Sequence, residues 1–175
     1  LREYAYTREI AERIVQELSK QGYDAERIVK ENIDVPLTER AKRVNAFCGK
    51  LGASNVILVS VHCNAAGSGE WMKARGWSAY TSKGKTKSDA LSDCLYESAR
   101  MMFTGQRIRE DRSDGDPDWE ENFYILRKTK CPAVLTENFF QDNKEDVAYL
   151  LSNEGKQAIV DVHVDGIINY IKANE

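Results

Sequence analysis

The 175-residue sequence has only two histidines, three prolines and four cysteines. No apolar run approaches the roughly 20 residues that a membrane span needs, and no secretory leader opens the chain. It begins at Leu1 rather than Met, as a processed or trimmed chain does, so the missing leader leaves the compartment open. There is no Pro/Gly/Ser linker, internal repeat or low-complexity tract, so a single domain is expected. The net charge is −3, which argues against a nucleic-acid partner held through its phosphates and against an anionic membrane surface held by charge alone. Cys48, Cys63, Cys94 and Cys131 form no C-x-x-C pair, so a structural zinc knuckle is not expected and buried thiols are. The phosphate-binding G-x-x-x-x-G-K-[ST], the dinucleotide G-x-G-x-x-G and the hydrolase G-x-S-x-G are all absent.

With 42% hydrophobic and 30% charged residues, the chain reads as an ordinary globular domain, long enough to bury a core without disulfides. Ile10, Ile14, Val15 and Leu18 recur at helical spacing within 6–20, and Gly22 follows as a C-terminal stop. Arg27 to Val29 is a candidate short strand. Leu37, Ala41, Val44 and Phe47 mark a second helix after Pro36. The run NVILVSV from Asn55 to Val61 suits a strand buried on both faces of a parallel sheet. Further strands are expected at 76–81, 123–126 and 132–136, and helices at 87–103, 143–151 and 155–171. This alternation predicts an α/β domain with a mostly parallel twisted sheet and helices on both faces.

In such sheets chemistry sits at the carboxyl ends of strands. His62 follows Val61 there, placed to bind a metal, to act as a base, or simply to hydrogen-bond at a strand end. Glu137 follows Thr136, and a carboxylate ending an apolar strand is costly unless it is paired or has a task. It either serves a metal-assisted reaction or caps the next turn. Glu3 lies one turn before the first predicted helix, where a surface carboxylate is common without function. His163 falls beside the apolar stripe of the last helix and reads as a packing or surface residue. Asp114, Asp116 and Asp118 have the spacing that opens a calcium loop. Trp119 replaces the loop's glycine and Ile125 its closing glutamate, so a solvated acidic loop is the preferred reading. Cys63 adjoins His62, but adjacent strand residues face opposite ways, which argues against a Cys–His nucleophile made from that pair. Trp71, Trp77 and Trp119 lie in or near the long connections 66–75 and 105–122, either stacking on sugar rings or packing under loops.

Five segments stand in order: EYAYTREIA from Glu3, PLTERAKRVN from Pro36, VSVHCNA from Val59, ARGWSAY from Ala74 and YILRKTKCPAVLTE from Tyr124, continued by NFFQDN from Asn138. Together they resemble the zinc-dependent N-acetylmuramoyl-L-alanine amidases, the type 3 amidases. The resemblance implies that Glu3 and His62 are zinc ligands and that Glu137 is the catalytic base. Asn64 would support the site beside the metal, and Arg127 would make a substrate or a structural contact. In that family the first zinc ligand is a histidine in a G-H-G turn after the first strand. It would lie upstream of Leu1, so the 1–175 chain is expected to be a single catalytic domain without that strand and turn. The implied cofactor is zinc, and the implied substrate is peptidoglycan, cut between N-acetylmuramic acid and L-alanine. The implied setting is the periplasm or the cell exterior, for a bacterial remodelling enzyme or a phage lysin. The alternatives are another zinc peptidase on a similar scaffold and a non-catalytic peptidoglycan-binding relative.

Overall fold

The computed structural model describes residues 1–175. Six helices surround one four-stranded sheet. Along the chain run α1 (Glu3–Lys20), α2 (Leu37–Leu51), β1 (Leu58–Asn64), β2 (Ser78–Thr81), α3 (Ser88–Met102), β3 (Trp119–Glu120), α4 (Tyr124–Lys128), β4 (Ala133–Phe140), α5 (Lys144–Leu151) and α6 (Asn153–Ala173). The strands lie in the order β1-β4-β2-β3. The β1–β4 and β2–β3 pairs are parallel and β2–β4 is antiparallel, so the sheet is mixed but mostly parallel, as expected.

Strand alternation divides the sheet into two faces. Cys63, Val134 and Ala79 enter a core of 21 buried residues together with α1, α3 and α6. On the opposite face Ala133 and Leu135 pack against Ala41 of α2 and Ile125 and Leu126 of α4, while Leu58 closes on Val44, Cys48 and Cys131. Helices therefore cover both faces. Fully buried Trp77 centres the larger core, edge-on to Tyr96 with centroids 5.0 Å apart.

Several expectations need correction. Residues 27–29 form no strand. Residues 124–128 form the short helix α4, because its apolar pair Ile125 and Leu126 is buried side by side, as one face of a helical turn allows. Periodicity cannot separate the two states over so short a run. The strand expected at 55–61 runs instead from Leu58 to Asn64, after a single 3-10 turn at Ala53–Asn55, so His62 lies within it. It is also an edge strand, and most of its residues are only half-buried rather than enclosed on both faces. Helix α1 starts at Glu3, which places that carboxylate in the first helical turn, where the positive end of the helix dipole favours it. For Trp77 the packing alternative holds, since it is fully buried in the core. Three cysteines are buried and Cys94 is half-buried, all as free thiols.

Candidate active site

In the parallel β1–β4 pair, His62 is the register partner of Glu137. Both belong to the face that carries Leu58, Ala133 and Leu135, so both side chains rise on the α2/α4 side of the sheet. Glu3, 59 positions before His62, closes on it from the start of α1, with Oε1 3.3 Å from His62 Nδ1. The same oxygen accepts a hydrogen bond from the Cys63 backbone N–H at 3.1 Å. The His62 hydrogen bond, with help from that amide, holds the Glu3 carboxyl below its ordinary value despite partial burial. The other ring nitrogen of His62, Nε2, lies 3.0 Å from Ser60 Oγ, two residues back on the same face. Tying one nitrogen fixes the ring and aims the other at Glu3.

Glu137 has a different environment. Burial pushes its carboxyl up to about 7, and Glu3 adds to this, whereas His62 and Arg109 pull it down. Its Oε2 is buried and has no hydrogen-bond partner. Two carboxylates beside one imidazole are thus driven apart, Glu3 toward the charged form and Glu137 toward a poised one.

Just past Glu137 the ladder is irregular. The register slips between His62 and Asn64, whose partner is Phe140, so β4 carries an extra residue. Phe139 takes a left-handed φ of 65°, the only non-glycine residue with positive φ. Asn138 faces the main core with Val134 and Thr136, as strand alternation places it, and the bulge brings Phe139 to that core as well. Asn138 Nδ2 donates to the His62 carbonyl at 2.9 Å and to Thr136 Oγ1 at 3.0 Å, and its Oδ1 accepts from Trp77 Nε1 at 2.8 Å. Fully buried Asn138 thereby ties the strand of His62 to the strand of Glu137 and to the main core.

The remaining candidates lie as follows. Asn64 ends β1, and its Oδ1 accepts from the Ala65 backbone N–H at 2.9 Å, capping the turn beyond the strand. Arg127 is exposed on α4 with its guanidinium 5.5 Å from the Tyr124 ring centre, and no hydrogen bond or ion pair joins it to Glu3, His62 or Glu137. His163 is fully buried, as the packing reading expects, between Thr136 Oγ1 at 2.9 Å and the Ile159 carbonyl at 2.7 Å. Burial drives its pKa down to about 4, so it is neutral. The Cys63 thiol points into the main core, where burial pushes its pKa far upward, which also argues against it as a nucleophile. Trp71 is exposed, and Trp119 packs 6.3 Å from the Tyr80 ring beneath the Arg109 guanidinium.

Sequence reasoning missed three contributors. Arg109 acts on Glu137, but it stands in a charged loop with no motif. Asp142 Oδ2 accepts from the backbone N–H groups of Ala66 and Gly67 at 2.9 and 2.8 Å, and Asp146 Oδ2 accepts from those of Gly76 and Phe140 at 2.8 and 3.0 Å. Both fix the connection that follows β1. Their only signal was membership of the polar run after Phe140.

The profile of the N-acetylmuramoyl-L-alanine amidase family matches residues 1–169. The chain belongs to this family. An endolysin of Bacillus phage SPP1 is 31% identical over 134 residues, covering 75% of this chain and 44% of the relative. The N-acetylmuramoyl-L-alanine amidase CwlM of Bacillus licheniformis is 30% identical over 134 residues, covering 76% and 45%. The chain thus spans less than half the length of these two relatives. Among solved structures, the N-acetylmuramoyl-L-alanine amidase from Clostridium difficile 630 superposes with a TM-score of 0.82 at 22% identity, covering 98% of this chain and 84% of that one. That likeness shows the fold.

Proposed function

We propose that this amidase-family chain hydrolyses peptidoglycan at the amide between the lactyl group of N-acetylmuramic acid and the L-alanine of the stem peptide. The observation that carries the reading is the register pairing of His62 with Glu137, with Glu3 closing on the histidine. One imidazole and two carboxylates thereby converge at the carboxyl ends of two parallel strands.

The donor set fits zinc, which takes imidazole nitrogen and carboxylate oxygen readily. His62 and Glu3 would hold it. Ser60 fixes the ring and the Cys63 amide fixes the carboxylate, as ligand-orienting partners do. A catalytic zinc usually has three protein ligands. We place the third, a histidine, in sequence preceding Leu1, on a strand that would pair with β1. The unpaired outer edge of β1 and its half-buried apolar residues support that placement. When bound, zinc polarises an amide carbonyl and makes a water acidic near neutral pH.

The residues of the chain supply the rest. Glu137 takes the proton of the attacking water on its unpartnered Oε2 and hands it to the departing L-alanine nitrogen. Its half-buried position on the sheet keeps bulk water from competing for that proton. Asn138 keeps the strand of His62 and the strand of Glu137 at fixed separation. Asn64 and Arg127 are proposed as site-supporting and substrate-contacting residues, since the former follows His62 on β1 and the latter sits on the helix covering the same sheet face. The substrate places the reaction in the periplasm or outside the cell.

The test is product identity. With the protein extended upstream of Leu1, mass spectrometry of digested muropeptides should show stem peptides with a free L-alanine amino group, and Glu137→Gln in that form should reduce their release about 10²–10⁴-fold. Trimming of free peptides with muropeptides intact would indicate a peptidase instead. Binding to peptidoglycan without cleavage would indicate a non-catalytic relative.

A further inference from the structure

A second cluster of oxygen ligands lies at the β3 end of the sheet, three strands away in order from the edge strand that carries His62. Asp118, expected in a solvated loop, is 1% exposed, whereas Asp114 in the same loop is exposed as expected. Asp118 immediately precedes β3, Asp116 lies two residues earlier, and Asp89 comes from the first turn of α3. One carboxylate oxygen from each of the three lies within 4.8 Å of the other two. None of these carboxylates is in an ion pair.

Their hydrogen bonding is equally incomplete. Asp89 Oδ2 accepts from the Thr86 backbone N–H at 3.0 Å, but Asp89 Oδ1, Asp116 Oδ1 and both oxygens of Asp118 are buried without a partner. The hydroxyls of Thr81 and Ser92, fully buried, turn toward the carboxylates of Asp89 and Asp118 without reaching good hydrogen-bond geometry. Buried polar atoms of native proteins are normally satisfied, so six such oxygens at one place demand an explanation. A carboxylate that is nearly fully buried, faces two others and meets no cation is among the most costly arrangements a fold can hold.

We propose that Asp89, Asp116 and Asp118 bind a calcium ion that pins the 105–122 connection to β2 and α3. The donors are all oxygen, which selects hard cations over zinc or copper. Two ligands of one calcium ion, each about 2.4 Å from it, stand at most about 4.8 Å apart, and the three carboxylate oxygens all lie within that limit of one another. Magnesium keeps most of its water and rarely enters a cage walled by protein, whereas calcium accepts six to eight oxygens in flexible geometry. Thr81, Ser92 and water complete the shell. Entry is through a polar surface cleft that Asp116 and Pro117 line with Asp93, Glu97 and Arg100. The site shares no residue with the proposed amidase centre, so either reading can fail alone.

The experiment is thermal unfolding and calorimetric titration of the chelator-treated protein with calcium chloride, and separately with magnesium chloride. We expect one calcium per chain and a Tm rise of roughly 5–10 °C at a hundredfold excess over Kd. Asp118→Asn and Asp116→Asn should each abolish the rise, while His62→Ala should retain it. If Asp118→Asn does not fold, Asp116→Asn on the cleft wall decides. The proposal is overturned if calcium leaves wild-type Tm unchanged, in which case the carboxylates share a proton instead. It is also overturned if the aspartate variants keep the full calcium response, or if magnesium matches calcium.

Discussion

Glu3 Oε1 stands 3.3 Å from His62 Nδ1, although the two residues come from different elements and neither is adjacent in sequence. The contact joins the first turn of α1 to the edge strand of the sheet. Everything proposed for the site depends on β1 being held where Glu3 and Glu137 can both reach its histidine.

Asn138 does much of that holding. Replacing it with alanine leaves fully buried Trp77 Nε1 without its partner and removes a hydrogen bond to the half-buried His62 carbonyl. Asn138→Ala should lose about 3 kcal/mol of stability, since an orphaned buried group costs about 1–3 kcal/mol and the lost hydrogen bond adds to it. Urea unfolding monitored by tryptophan fluorescence measures this, and a loss under about 0.5 kcal/mol would show that the tie is dispensable.

His163 makes stability pH-dependent. Its folded pKa of about 4 lies below the ordinary 6.5, so the unfolded chain binds the proton more tightly. The neutral histidine's contribution is complete above about pH 6.5 and is lost as pH falls from there toward 4. The loss amounts to about 3 kcal/mol. Other groups titrate in the same range, so the reading is the difference between wild type and His163→Gln. That difference should shrink as pH drops through the window, and a constant difference would show that the histidine titrates alike in the folded and unfolded states.

Gly76 leads into β2 with a φ of 115°. A Cβ there would stand 2.8 Å from the Arg107 carbonyl oxygen and 3.0 Å from Arg109 Cγ. Because the nearer obstacle is backbone, Gly76→Ala should destabilise the fold by about 2 kcal/mol or more. It should also displace the loop that carries Arg109 toward Glu137. Gly69, also at positive φ but with open space around it, is the control and should cost less.

What was readable in the sequence, and what was not, follows from range. His62 and Glu137 end apolar β-branched runs, and such runs announce strands whose ends carry chemistry, so local pattern sufficed. Glu3 gave no local signal. Only the order of five family-like segments raised it, because its partner lies on a strand 59 positions later. Helix α4 was read as a strand because a five-residue element offers too few positions to separate the two periods. Asn138 could not be read as a tie, since its partners, the His62 carbonyl and Trp77 Nε1, lie 76 and 61 positions away. Asp118 looked solvated because acidic loops usually are, and its burial comes from packing beside β2 and α3.

Zinc content tests the central claim most directly. Elemental analysis would be run on the 1–175 chain, on the protein extended upstream, and on Glu3→Gln and His62→Ala in the extended form. The account predicts about one zinc per extended chain, and little retained by the 1–175 chain or either variant. Equal zinc in the variants, or none in the extended protein, would contradict Glu3 and His62 as ligands.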